Sequence, residues 1–159
     1  MEKAGVSPQQ VPVEAPLTVL IAEDDPDDVF LLRRAFGKAG IKADLRFVSE
    51  GQEAIEYLEG RGAFVNRAFH PLPALFILDL FLPRMTGFDV LEWLVKRPGL
   101  DLPVVVLSGT AAPVDFQRAY GLGADFCVSK PVEFAELVGV AKSIFLFWQH
   151  YPRALSEAA

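Results

Sequence analysis

The sequence predicts an α/β protein with a doubly wound, five-stranded parallel sheet and helices on both faces. Five short apolar runs carry this prediction, and they cover residues 18–21, 45–48, 75–78, 104–107 and 126–128. Continuous apolar runs of this length are typical of strands that are covered on both faces, as in a parallel sheet. Stretches with helical signals lie between the runs, and an alternation of strand and helix indicates right-handed crossovers.

The helices are predicted from their start and stop signals. The first, over 26–39, has Asp25 as its N-cap and Pro26 in its first turn. Ser49 and Gln52 resemble a capping box that opens the second, over 49–58. Three more are expected over 86–96, 113–120 and 133–151. The segment 60–73 is long for a connection and is expected to be a mobile surface loop.

Length and charge limit the classes of function. The 159 residues suit one domain, expected over 17–151 between a flexible tail at 1–16 and a short tail at 152–159. Asp and Glu number 21 against 15 Lys and Arg, which argues against nucleic acid or an anionic membrane as a partner. The chain has a single cysteine and no apolar signal-peptide core, and every apolar run is too short to span a bilayer. These features favour a cytoplasmic protein.

Polar residues follow four of the predicted strands. Since ligands of open α/β sheets lie beyond the carboxyl ends of the strands, we expect these residues to form one site. They are Glu23, Asp24, Asp79, Ser108 and Lys130. Several carboxylates in a small volume repel one another and favour a hard divalent cation, foremost Mg²⁺. With a lysine and a hydroxyl opposite, such a site can hold a phosphoryl group that the Asp79 carboxylate accepts.

Four motifs resemble response-regulator receiver domains: residues 19–28, 78–87, 103–109 and 129–131. The resemblance spans about residues 17–150 and implies the flavodoxin-like strand order 2-1-3-4-5. It further implies that Asp79 is the phosphoacceptor, that Ser108 is the switch hydroxyl and that Lys130 binds the phosphoryl group. The implied metal ligands are Glu23, Asp24, Asp79 and the backbone carbonyl of Phe81. A cis peptide bond between Lys130 and Pro131 is also expected from the family.

The family resemblance implies a function in two-component signalling. A histidine kinase would donate phosphate to Asp79 in a Mg²⁺-dependent reaction, and an unknown downstream protein would recognise the changed surface. Such a protein is not an enzyme, although it assists its own phosphotransfer and autodephosphorylation. Little sequence follows the receiver, so no output domain is expected. The loop before Pro73 and the aromatic ending at 145–152 are similar to the stand-alone regulators that serve phytochrome-type kinases.

Two residues depart from the family pattern. Cys127 stands at the switch position, where receivers usually carry Tyr or Phe, and Phe126 points to the opposite face of the strand. Phe81 places a bulky apolar side chain beside the acceptor, where we expect it to shield an aspartyl phosphate from water.

The last predicted helix carries two apolar stripes. One is expected to face the sheet and contains Phe134, Val138, Ala141, Phe145 and Trp148. The second contains Leu137, Val140, Ile144, Phe147 and Tyr151. It is expected to form a homodimer face through Val140, Ile144, Phe147 and Tyr151. The alternative is a helix buried deeply beneath its neighbour.

Two other functions compete with the phosphoreceiver. A receiver that no longer accepts phosphate would act as a docking and dimerisation module, which the departure at Cys127 favours and the complete acidic and lysine set opposes. A haloacid-dehalogenase-type phosphatase also uses an Asp after an apolar strand. It requires a second Asp two residues on, where this chain has Phe81.

Overall fold

The computed structural model describes residues 16–152, so the predicted tails at 1–16 and 152–159 lie outside the described residues except for one residue each. Five strands are formed: β1 (Leu17–Ala22), β2 (Ala43–Val48), β3 (Leu75–Leu78), β4 (Val104–Ser108) and β5 (Phe126–Ser129). Five α-helices alternate with them: α1 (Pro26–Lys38), α2 (Gly51–Glu59), α3 (Gly87–Val95), α4 (Pro113–Gly121) and α5 (Phe134–His150). One 3₁₀ turn covers Gly62–Phe64.

All neighbouring strands pair in parallel, in the order β2-β1-β3-β4-β5. This confirms the predicted fold class and strand order. Two apolar cores cover the two faces of the sheet. Helices α2, α3 and α4 contribute to one core, whereas α1 and α5 contribute to the other. Strand β3 is buried along its whole length between the two cores.

Of the two helix caps predicted from the sequence, one is confirmed and one is wrong. The Asp25 side chain accepts a hydrogen bond from the Asp27 backbone N–H, which confirms this residue as the N-cap of α1. Thr86 and Asp89 form a reciprocal capping box at α3. The capping box predicted for Ser49 is wrong, since its hydroxyl donates to the Glu53 carboxylate instead of accepting a backbone N–H. Glu50 is the N-cap of α2.

The segment between α2 and β3 is held by specific hydrogen bonds. The Arg67 guanidinium donates to the backbone oxygens of Tyr57, Leu58 and His70. The Tyr57 hydroxyl donates to the Pro71 oxygen over 2.9 Å. These hydrogen bonds therefore fix the path of the segment over the end of α2.

The predicted dimer face on α5 needs correction. Ile144 is fully buried in the core that this chain forms between its own sheet, α1 and α5. Phe147 stacks on Phe126 at 5.5 Å and contacts Tyr151 edge-on, and Val140 is half-buried against the same core. Because α5 packs against both α1 and the sheet, it buries parts of both stripes within the monomer. This packing agrees with the alternative prediction, in which the helix is buried beneath its neighbour.

Two further points concern the chain as a whole. Residues 16–152 contain no cis peptide bond, so the expectation of a cis bond between Lys130 and Pro131 is wrong, and the bond has the trans form that is more stable for an X–Pro pair in general. Among the same residues, no helix has both the length and the apolar character that crossing a membrane requires.

Candidate functional site

The carboxyl ends of β1, β3, β4 and β5 bring the predicted polar residues together at one edge of the sheet. Backbone hydrogen bonds continue past the strand ends and fix their positions. The Asp79 N–H donates to the Ala22 oxygen over 3.1 Å, and the Lys130 N–H donates to the Ser108 oxygen over 3.0 Å. The side chains therefore project from a rigid frame.

Three carboxylates form an acidic cluster at this edge. One oxygen from each of Glu23, Asp24 and Asp79 lies within 4.8 Å of the others. Glu23 and Asp79 are 4% and 9% exposed, whereas Asp24 is open to solvent. Carboxylate oxygens at this spacing fit a hard divalent cation that keeps some of its waters on the exposed side.

Lys130 is the cation that the chain supplies to this cluster. Its Nζ donates to Glu23 Oε2 over 2.7 Å and to Asp28 Oδ2 over 2.8 Å. Asp79 Oδ2 is farther away, at 3.6 Å from the same nitrogen. Burial alone would lower the pKa of Lys130, but hydrogen bonds to Asp28 and Glu23 outweigh it and raise the pKa above its ordinary value. Lys130 is therefore held in its charged form.

Glu23 has an unusual protonation equilibrium for a carboxylic acid. Burial raises its pKa from 4.5 to about 7, and the nearby Asp79 charge acts in the same direction. The hydrogen bond from Lys130 opposes this shift but does not cancel it. One ammonium facing several carboxylates leaves the cluster short of positive charge, which a bound divalent cation would relieve.

The phosphoacceptor candidate is oriented by two donors. The Ser108 hydroxyl donates to Asp79 Oδ1 over 3.0 Å, and the Phe81 backbone N–H donates to the same oxygen over 3.1 Å. Ser108 is 1% exposed, so the bond lies in a buried environment. The carboxylate is thus held in place before any ligand arrives.

The loop between β3 and α3 closely approaches the backbone of Asp79. A side-chain carbon at Gly87 would lie 2.4 Å from the Asp79 backbone oxygen, so glycine is required there. Arg84 has a positive φ of 65°, which is uncommon for a residue other than glycine, and its side chain forms an ion pair with Glu50. The loop bounds a cleft of about 520 Å³, which is lined by Glu23, Asp24, Asp25, Asp28, Leu31, Asp79, Phe81, Gly109, Thr110, Lys130, Pro131 and Val132.

Cys127 has a setting of its own on β5. Its side chain lies on the α4 side of the sheet, with Sγ 4.0 Å from the Phe116 oxygen, whereas Phe126 packs into the opposite core. Its backbone N–H donates to the Tyr120 hydroxyl over 2.9 Å. A tyrosine from α4 therefore accepts a hydrogen bond from the backbone of β5, an edge strand of the sheet.

The sequence predicted correctly which side chains come together at this edge, but it missed two contacts. Asp79, Glu23, Asp24, Ser108 and Lys130 converge as expected, whereas a role of the Phe81 carbonyl as a metal ligand stays a prediction. The contact of Asp28 with Lys130 was missed, although its place one turn into α1 beside the acidic pair was a usable signal. The hydrogen bond of Tyr120 to β5 had no sequence signal.

A family comparison agrees with this geometry. Residues 19–142 match the family model described as "Response regulator receiver domain". A curated relative, "Probable methanogenesis regulatory protein FilR2" of Methanothrix harundinacea, is 30% identical over 149 residues. That match covers 91% of this chain and 92% of the relative.

Solved structures extend the comparison to the fold. The phosphorylated cyanobacterial phytochrome response regulator RcpA is 29% identical, with a TM-score of 0.78 over 89% of this chain and 100% of its own. The response regulator RPA3017, in red light signalling of R. palustris, is 36% identical. Its TM-score is 0.81, over 86% of this chain and 96% of its own.

Proposed function

The chain belongs to the response-regulator receiver family, and from this premise we propose that it accepts a phosphoryl group from a histidine kinase on Asp79 and signals by protein–protein contact. The observation that carries the proposal is the buried Asp79 carboxylate, held by Ser108 and faced by Lys130. Both partners leave the carboxylate open to the cleft. The protein is then a two-component switch and a phosphoprotein, not an enzyme acting on a separate substrate.

The proposed transfer step uses these same groups. A carboxylate oxygen of Asp79 attacks the phosphorus of the kinase's phosphohistidine, a P–O bond forms, and the P–N bond breaks with its electron pair leaving on the imidazole. Lys130 neutralises charge on the transferring oxygens from one side, and the Ser108 hydroxyl donates from the other. The same groups assist autodephosphorylation, in which water attacks the aspartyl phosphate.

Glu23, Asp24 and Asp79 fit Mg²⁺ as the divalent cation, because hard oxygen ligands and an open side suit an ion that retains water. When bound, Mg²⁺ supplies positive charge for the phosphoryl oxygens in the transition state. The Phe81 carbonyl is the proposed backbone ligand. Within residues 16–152, Lys130 is the only cationic side chain that pairs with this cluster. The reaction should therefore depend on the ion.

We propose that the phosphoryl donor is a histidine kinase of the phytochrome type. We also propose that the protein acts in the cytoplasm. The support is the likeness to two light-signalling regulators across most of the chain. A phytochrome-type kinase should therefore transfer phosphate faster than an unrelated histidine kinase at equal concentration. A homodimer stays a prediction, but Ile144 cannot belong to its contact face, because that residue is buried within the monomer. Light scattering over a concentration series measures the oligomeric state, and a monomer throughout would refute the dimer.

The competing functions fit the site less well. A docking module without phosphotransfer has no use for a buried acidic cluster with a lysine held inside it, since burying such charges is costly. A haloacid-dehalogenase-type phosphatase needs an acid at position 81. The phenylalanine there turns its ring against Phe88 at 6.3 Å.

Intact mass after incubation with acetyl phosphate and Mg²⁺ tests the proposal. Wild type should gain one phosphoryl group, and Asp79→Asn should gain none. Asp24→Asn should weaken Mg²⁺ binding, so that more Mg²⁺ is needed and the rate falls, whereas Asp25→Asn is the matched control. Asparagine preserves the N-cap at position 25 and removes an equivalent charge outside the cluster. A folded wild type that gains no phosphoryl group would refute the proposal and favour the docking module.

A further inference from the structure

Asp28 lies in the first turn of α1, outside the three-carboxylate cluster, and its side chain reaches Lys130. The two atoms are 2.8 Å apart, a distance typical of a strong charge-assisted hydrogen bond. Lys130 is only 10% exposed and Asp28 28% exposed, so water screens this pair less than a surface pair.

The lysine is shared unequally among three carboxylates. Its Nζ is 2.7 Å from Glu23 and 2.8 Å from Asp28, both within hydrogen-bond distance. The distance to Asp79 is 3.6 Å, which is too long for a hydrogen bond. The ammonium is therefore hydrogen-bonded on the α1 side of the cleft and stays within ion-pair range, but beyond hydrogen-bond distance, of Asp79.

We propose that Asp28 is a positioning residue that holds Lys130 away from Asp79 until a phosphoryl group arrives. The inference rests on the proposed phosphoreceiver function and adds a control of its rate. To contact phosphoryl oxygens, Lys130 exchanges its bond with Asp28 for one with the new anion. Asp28 thereby stabilises the unphosphorylated state, and in the proposed exchange this stabilisation is lost on the way to the transition state.

The exchange should affect the rate of phosphorylation and the rate of hydrolysis differently. Phosphorylation starts from the state in which Lys130 is bound to Asp28, so removing Asp28 raises that starting state and lowers the barrier. Hydrolysis starts from the phosphorylated state, in which Lys130 has already moved. Its rate should be nearly independent of Asp28. A merely structural role for Asp28 would impair both rates through loss of stability.

The test compares phosphorylation by acetyl phosphate and autodephosphorylation in wild type, Asp28→Asn, Asp28→Glu and Asp27→Asn. Asp27 is the matched control, because it is exposed, lies in the same first turn and carries the same helix-end charge. We expect Asp28→Asn to be phosphorylated about fivefold faster, equivalent to ~1 kcal/mol. Its hydrolysis rate should change less than about twofold. Asp28→Glu should return the slow phosphorylation of wild type, and Asp27→Asn should behave as wild type.

Each outcome decides the inference. Phosphorylation of Asp28→Asn at the wild-type rate or slower would overturn it, as would an equal acceleration by Asp27→Asn, which would indicate general charge repulsion of the donor. An equal change in both directions of the cycle would also overturn it. If wild type takes up no phosphoryl group, the proposed function fails and the inference fails with it.

Discussion

The Ser108 hydroxyl donates a hydrogen bond to Asp79 Oδ1 over 3.0 Å and so joins the carboxyl ends of β4 and β3. Both side chains are buried, and the Phe81 N–H is the other donor to the same oxygen. The Asp79 carboxylate is therefore oriented by the end of β4 and by the loop that follows β3.

Ser108→Ala should lower the free energy of unfolding by about 1–2 kcal/mol, because a buried, charged acceptor loses a donor. Urea unfolding in the presence of a chelator measures this. Ser143→Ala is the matched control, since its hydroxyl donates to the Gly139 oxygen on an exposed face of α5. Equal stability changes in the two variants would contradict a stabilising role for the bond to Asp79.

In the metal-free protein, stability should depend on pH through Glu23. Its pKa is raised from 4.5 to about 7 by burial, so the folded state binds the proton more tightly than the unfolded state. This contribution is complete below pH 4.5 and is lost as the pH rises through about 7, with ~3 kcal/mol as an upper bound. Urea unfolding with a chelator at several pH values measures it. Glu23→Gln should flatten the profile, whereas the exposed Glu92→Gln should leave it unchanged.

The position of Asp79 at the end of a buried strand was predictable because its sequence signal is local. An aspartate directly after a continuous apolar run is costly to bury without a purpose, and Asp79 proved to be 9% exposed at the end of β3. The strand order, in contrast, followed from the family resemblance, since periodicity does not order parallel strands. The contact of Asp28 with Lys130 had a partial signal in the place of Asp28 beside the acidic pair, but it also depends on the path of the long Lys130 side chain, which the sequence does not give.

The error on α5 has a comparable cause. Both stripes of this helix are apolar, so periodicity alone does not tell which one faces the sheet. The packing of α5 against α1 decides it, and Ile144 is buried between that helix and the sheet. The N-cap of α2 was misplaced because Ser49 and Glu50 are adjacent. Only the direction of the Ser49 hydroxyl, toward Glu53, separates the two alternatives.

Gly87→Ala should destabilise the protein by about 2 kcal/mol and slow phosphorylation, because the new methyl group would push on the backbone of Asp79 and Leu80. Thermal or urea unfolding and phosphoryl uptake measure the two effects. Gly37→Ala is the control. It lies in α1 with no atom within 4 Å of the added carbon, so it should stabilise by about 0.5–1 kcal/mol. A wild-type phosphorylation rate in Gly87→Ala would show that the close approach is dispensable.

Cys127 should be a slow nucleophile. Burial raises its pKa to about 11, although the Tyr120 hydroxyl acts in the opposite direction. At pH 8 the thiolate fraction is then about 100-fold smaller than for a thiol with the ordinary value of 9.0. Alkylation by iodoacetamide, followed by intact mass, should proceed correspondingly more slowly than for glutathione and should still accelerate above pH 10. A rate that levels off near pH 9 would disagree with this setting.

Phe81 should lengthen the life of the aspartyl phosphate. Its ring is 44% exposed, lines the same cleft as Asp79 and packs edge-on against Phe88, so it covers one approach to the acceptor. Phe81→Asn replaces this apolar cover with a group that can hydrogen-bond water, and the dephosphorylation rate should rise severalfold. Loss of the phosphoryl group with time, followed by intact mass after donor removal, measures it. Val132→Asn is the matched control, because Val132 lines the same cleft but is 97% exposed and leaves the ring in place. An unchanged rate in Phe81→Asn, or an equal rise in both variants, would show that the ring does not exclude water from Asp79.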